Sequence, residues 1–131
     1  MIFIDTSVWV AFFRGRDAAL VQRVQRVLDD EEVGLAGPVR IEILSGASRR
    51  DLPKLARLLQ AFPLFLPKET TWSLVERWLE EAVSAGQRFG AMDLLIGAIA
   101  AEERARLWSL DRDFERMERL GLVQRFPGVG R

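Results

Sequence analysis

Four carboxylates in this chain stand where carboxylates are costly. Asp5 directly follows the apolar run Ile2-Phe3-Ile4, and Glu42 lies between Ile41 and Ile43. Asp93 precedes Leu94-Leu95-Ile96, and Asp111 follows Leu107-Trp108-Ser109-Leu110. An unpaired charge in apolar surroundings is expensive to bury. Carboxylates gathered about 4 Å apart repel by roughly 4 kcal/mol per pair at an effective dielectric near 20, so such a group takes up protons or holds cations. The chain has no cysteine, histidine or tyrosine. That excludes Ser-His and Cys-His catalysis, imidazole and thiolate metal sites, and a phenolic acid or base. With no histidine, and no lysine near the four acids, the expected cation is a metal. All-oxygen ligands select Mg²⁺ or Mn²⁺ over zinc or copper. Taken singly, each acid has a structural alternative as a helix cap or an arginine partner. Asp29, Asp30, Glu31, Glu32, Glu80, Glu81, Glu102, Glu103, Glu115 and Glu118 lie in charged runs or on polar faces and read as solvated.

Apolar periodicity predicts the elements that must position the four. Residues 2–4 read as a buried strand, Asp5-Thr6-Ser7 as a polar turn, and 8–13 as a helix stopped by Gly15. Residues 17–31 read as an amphipathic helix, with Leu20, Val21, Val24, Val27 and Leu28 at spacings of three and four. A strand over 33–36 precedes a helix opened by Gly37-Pro38 and running to Gly46, and a further helix covers 52–60. Residues 64–66, between two prolines, are extended. From Thr70 a helix carries the stripe Trp72, Val75, Leu79, Ala82 and Val83, and Gly86 caps it. An apolar helix over 91–105, a strand over 107–110 and a last short strand at Leu122-Val123 complete the chain.

Short strands alternating with helices predict a three-layer α/β/α domain around a short, mainly parallel central sheet, because parallel neighbours need crossovers. Ligands of such sheets bind beyond the carboxyl ends of the strands, where strand order reverses. Asp5 and Asp111 fall at two such ends. Asp93, in the first turn of its helix, faces the same edge and is favoured by the helix dipole. Glu42 reaches in from the side.

The 131 residues, 49% of them apolar, suit a single domain over 1–131 with no repeat or linker. The longest uncharged run, over residues 58–67, holds two prolines and is far short of the ~18 residues of a spanning helix. The N-terminus meets an acid at once and has no basic region of the kind a signal peptide carries, so the expected location is the cytoplasm. Net charge is zero, yet all but two of the 19 cations are arginines, the better partners for phosphate.

Taken together, Asp5-Thr6-Ser7-Val8-Trp9, Glu42 in Arg40-Ile41-Glu42-Ile43-Leu44-Ser45-Gly46, Met92-Asp93-Leu94-Leu95-Ile96-Gly97-Ala98 and Ser109-Leu110-Asp111-Arg112-Asp113-Phe114 resemble the PIN-domain ribonucleases. The likeness is greatest to the VapC toxins of type II toxin-antitoxin pairs, and it covers essentially the whole chain in order. It implies that Asp5, Glu42, Asp93 and Asp111 are an acidic catalytic and metal-binding quartet for Mg²⁺, with Mn²⁺ as a substitute, and that Asp5 and Asp93 are its firmest ligands. Ser7 matches the small polar residue that the family places beside its first Asp, Asp113 matches a further, less regular acid, and Ser109 stands where the family commonly shows Thr and keeps the hydroxyl. The resemblance also implies an endoribonuclease that hydrolyses RNA through a metal-activated water, a homodimer, and a small cognate antitoxin as partner. Excluding the quartet leaves four more cations than acids on the rest of the chain. Arg14, Arg16, Arg40, Arg88 and Arg112 are candidates for an RNA-binding rim, with a solvated or ion-paired surface as the alternative for each.

Other metal-dependent classes fit less well. A haloacid-dehalogenase-like phosphatase needs a second Asp where this chain has Ser7, a receiver domain needs a late lysine that neither Lys54 nor Lys68 supplies, and no phosphate-binding glycine loop occurs. A non-catalytic RNA- or protein-binding module of the same fold is the remaining alternative. Trp9 reads as core; Trp72 and Trp78 read as packing or interface residues.

Overall fold

A computed structural model describes residues 1–127. Strand β1 (Ile2–Ile4) is buried at all three positions, as an apolar run flanked on both faces must be. Helix α1 (Thr6–Arg14) follows at once and ends at Gly15, whose φ of 66° suits a residue without Cβ. Helix α2 (Ala18–Asp30) is capped by the Asp17 carboxylate and buries Leu20, Val24 and Val27. Strand β2 (Val33–Ala36) runs directly into α3 (Gly37–Ser45), with Pro38 in the first turn. Then come α4 (Leu52–Leu59), the two-residue strand β3 (Leu64–Phe65), α5 (Glu69–Ser84), α6 (Ala91–Glu102), β4 (Arg106–Trp108) and α7 (Arg112–Arg119).

The sheet order is β3-β2-β1-β4, and every pairing is parallel. Helices enclose the sheet in a three-layer α/β/α arrangement. Because the chain steps outward from β1 through β2 to β3 and then returns to the far side of β1, strand order reverses between β1 and β4. The Asp5 N–H, donated to the Trp108 carbonyl at 2.8 Å, closes the carboxyl end of that junction. Beneath it, Trp9 is fully buried, stacked on Phe13 and edge-on to Phe12 and Phe62. The core reading of Trp9 therefore holds.

Five expectations change. Asp5-Thr6-Ser7 is not a turn before a helix but a cap and first helical turn: Asp5 accepts the Ser7 N–H, and cap residues are polar for that reason. The stripe of α5 is rotated. Thr71, Val75, Trp78 and Ala82 are buried, while Trp72, Leu79 and Val83 are exposed. Helix α6 stops at Glu102, and Arg104 turns the chain with φ 53°. Strand β4 ends at Trp108, two residues short of the predicted end, so Asp111 is not at a strand terminus but caps α7, a helix the apolar pattern did not reveal. Leu122 and Val123 are buried without forming a strand; the chain instead runs beside β4 through a single bridge between Leu107 and Arg125.

Candidate active site

The junction between β1 and β4 assembles its polar residues from the ends of three elements. Asp5, only 5% exposed, is held by three donors on one oxygen. Ser7 Oγ and Ser109 Oγ each donate to Asp5 Oδ2 at 2.8 Å, and the Ser7 amide donates at 3.3 Å. Both hydroxyl protons are thereby spent, so the two serine oxygens, 3.3 Å apart, are in close approach rather than bonded. Their free lone pairs accept in turn. Ser7 Oγ takes the Leu110 amide and Ser109 Oγ takes the Asp111 amide, both at 3.0 Å. One network thus links β1, α1 and the loop after β4, and it leaves Asp5 Oδ1 without a hydrogen bond among the described residues.

Asp111 caps α7 by accepting the Asp113 amide at 2.9 Å, which directs Asp113 to the same side. Asp93, half-buried in the first turn of α6, completes the group: Asp93, Asp111 and Asp113 each present a carboxylate oxygen within 4.8 Å of the others. Burial raises the Asp93 pKa, and the negative charges of Asp111, Asp5, Asp113 and Glu42 raise it further, from 3.8 to about 6. The helix dipole favours the charged form and is outweighed. Asp5 and Glu42 therefore act electrostatically on Asp93 although their oxygens lie outside the three-acid group. Glu42 is held by the Thr6 hydroxyl, which donates to its Oε1 at 2.5 Å.

The structure therefore brings together Asp93 and Asp111 of the sequence-derived quartet, sets Asp5 and Glu42 around them, and adds Asp113 as a full member of the cluster. In the sequence Asp113 had lesser standing, because it matches only a less regular acid of the family. Arg116 had none there, and its Nη2 lies 2.7 Å from Asp113 Oδ1. The only sequence signal for that pair was the three-residue spacing of opposite charges.

The five candidate rim arginines make no ion pair among the described residues. Arg112 follows Asp111 directly, and both it and Arg88 are exposed. Arg14 shares a cleft of about 350 Å³ with Glu42, Phe13, Ser48 and Asp51. Arg40 lines a separate apolar groove of about 390 Å³ with Ile41, Leu64, Leu66 and Met92. Arg16 is exposed just beyond α1. Of the tryptophans outside the core around Trp9, Trp78 packs inside and Trp72 is 54% exposed.

Carboxylate oxygens at this separation form an all-oxygen donor set, which suits Mg²⁺ or Mn²⁺. The acid already shifted to about 6 is one whose charged form a divalent cation would favour.

Comparison with known proteins agrees in sequence and in fold. The family model for the PIN domain matches residues 2–120. The chain is 32% identical over 129 residues to Ribonuclease VapC11 of Mycobacterium tuberculosis, covering 95% of this chain and 96% of that protein. It is 38% identical over 117 residues to Ribonuclease VapC32 of the same organism, covering 86% of each. Among solved structures, VapBC2 of Rickettsia felis bound to a promoter DNA fragment superposes with a TM-score of 0.79 at 17% identity, over 96% of this chain and 98% of that one. The VapC20 toxin of Mycobacterium tuberculosis, described as cleaving the sarcin-ricin loop, gives 0.69 at 19% identity, over 88% and 94%. The chain belongs to the PIN domain family, among its VapC members.

Proposed function

We propose that this protein is a Mg²⁺-dependent endoribonuclease, the toxin of a VapBC-type pair, for which Mn²⁺ can substitute. The observation that carries the proposal is the meeting of Asp93, Asp111 and Asp113 at the point where strand order reverses, with Asp5 fixed beside them. A divalent cation there would supply an activated water and offset the negative charge that develops at phosphorus and on the departing oxygen. The protein's own part is placement. Ser7 and Ser109 hold Asp5 by one oxygen and leave the other for the cation. Thr6 holds Glu42 by one oxygen, and Asp111 is set by the cap of α7. The acids repel an RNA backbone until the cation is bound, and the candidate rim arginines then hold its phosphates.

A cognate antitoxin is the proposed protein partner, since the related structures are toxin-antitoxin complexes. A homodimer is proposed as the working form, supported by the groove at Ile41, Leu64, Leu66 and Met92, whose apolar side chains face solvent in a lone chain. Among the described residues no helix is long and apolar enough to cross a membrane.

The direct test is cleavage of structured RNAs by purified protein with Mg²⁺, Mn²⁺ or EDTA, alongside Asp5→Asn and Asp93→Asn. Metal-dependent cutting at defined sites, lost by about 10²-fold or more in both variants, is the expected result. A wild type that cuts nothing, or variants as active as it is, would turn the assignment to the non-catalytic binding module.

A further inference from the structure

Arg116 joins Asp113 to the segment that leads into α6. Its Nη1 donates to Gln87 Oε1 at 2.7 Å, and its Nη2 donates to Asp113 Oδ1 at 2.7 Å and to the Arg88 carbonyl at 3.3 Å. Its guanidinium carbon lies 4.5 Å from the centre of the Phe89 ring. Every residue of the 87–89 segment is therefore engaged, and that segment leads through Gly90 directly into α6, where Asp93 is the third residue. The turn that carries Asp93 is closed by the Leu94 N–H, donated to the Gly90 carbonyl at 3.1 Å, and has no side-chain cap.

We propose that Arg116 is a positioning residue: by clamping residues 87–89 to Asp113, it sets the first turn of α6 against the first turn of α7 and so fixes the distance between Asp93 and the Asp111–Asp113 pair. The role rests on the reading of those acids as a cation site. A planar fork with donors in fixed directions, stacked on an aromatic face, can join three acceptors in this way, whereas the ammonium of lysine cannot. Asp113 keeps its second oxygen for a ligand. The arginine itself does not touch the reacting atoms.

Charge and positioning predict opposite signs. Removing a cation beside a cluster of acids strengthens binding of a divalent metal if only the field matters. It weakens binding if the arginine holds the ligands in register, by about tenfold, as for other residues that orient metal ligands.

The test is Mn²⁺ binding to the full-length protein without RNA, followed by the electron paramagnetic resonance of free Mn²⁺, with amide hydrogen exchange over residues 87–93. Arg116→Gln and Arg116→Lys should both bind Mn²⁺ about tenfold more weakly and exchange faster over that stretch, while the amides of β1 remain protected. Gln87→Ala leaves the Asp113 pair intact and should show a smaller loss; it carries the test if an Arg116 variant does not fold. Unchanged or tighter binding in folded variants overturns the role of Arg116 and leaves the cation site standing. A wild type that binds no Mn²⁺ overturns the cation site and this role together.

Discussion

Asp5 and Asp93 lie in one small volume under different conditions. Three donors converge on Asp5, whereas acids surround Asp93 and burial compounds their effect, moving its pKa from 3.8 to about 6. A carboxyl that titrates higher when folded binds its proton more tightly in the folded chain. The stability it contributes is fully present below 3.8 and is lost as the pH rises through about 6. At neutral pH the charged Asp93 therefore opposes folding. Asp93→Asn should raise the stability of the metal-free protein there by about 1 kcal/mol, a figure discounted for the solvent that reaches a half-buried group. The gain should vanish well below pH 3.8, where the wild-type carboxyl is neutral too. Urea titrations at the two pH values measure this, and equal midpoints at neutral pH would count against it. Mg²⁺ should raise the wild-type midpoint and leave that of Asp93→Asn nearly unchanged, since a ligand stabilises only the state that binds it.

Helix α6 presents Asp93 from a first turn whose following residues, Leu94 to Ala100, are all buried, and at Gly97 its neighbours approach closely. A Cβ placed there would lie 3.0 Å from Val123 Cγ1 and 3.2 Å from Trp78. Gly97→Val adds two methyl groups beyond that Cβ and should destabilise by about 1–3 kcal/mol, read as a lower urea midpoint; an unchanged midpoint would show that α6 can shift away from α5. Such packing was partly visible beforehand. The spacings of Leu20, Val24 and Val27, and the uniformly apolar β1 and β2, have one physical explanation each, and the structure agrees with them. Where polar residues serve the interior, the pattern misled. Thr71 is buried with its hydroxyl donated to Glu102, so the core face of α5 passes through a residue that reads as polar. Helix α7 sends only Phe114 and Met117 fully inside among charged neighbours, too few apolar positions to show a period. The four acids stood out because charge beside apolar runs is costly; Asp113 and Arg116, on a charged helix, had no such contrast.

Over the whole molecule, a net charge of zero includes acids gathered at one point and arginines left without an acidic partner among the described residues. Asp93, Asp111 and Asp113 converge at one point with Asp5 and Glu42 close by. Arg14, Arg16, Arg40, Arg88 and Arg112 make no ion pair among the described residues. If these arginines contact phosphates, as the proposed function requires, the acids repel a polyanion that the arginines attract, and binding of RNA and cutting of RNA should be separable. With Asp93→Asn in EDTA, the logarithm of the affinity for a single-stranded RNA should fall linearly with the logarithm of salt concentration, by about 0.7 for each phosphate neutralised. Replacing one rim arginine by alanine on that background should weaken binding to all sequences alike and reduce the slope by about 0.7 if that side chain contacts a phosphate. Fluorescence anisotropy across a salt series gives both quantities. If none of the five replacements changes the slope, these arginines are ordinary solvated surface and the RNA runs along another face of the domain. A replacement that changes affinity for one sequence and not another would mark its arginine as reading bases instead of phosphates.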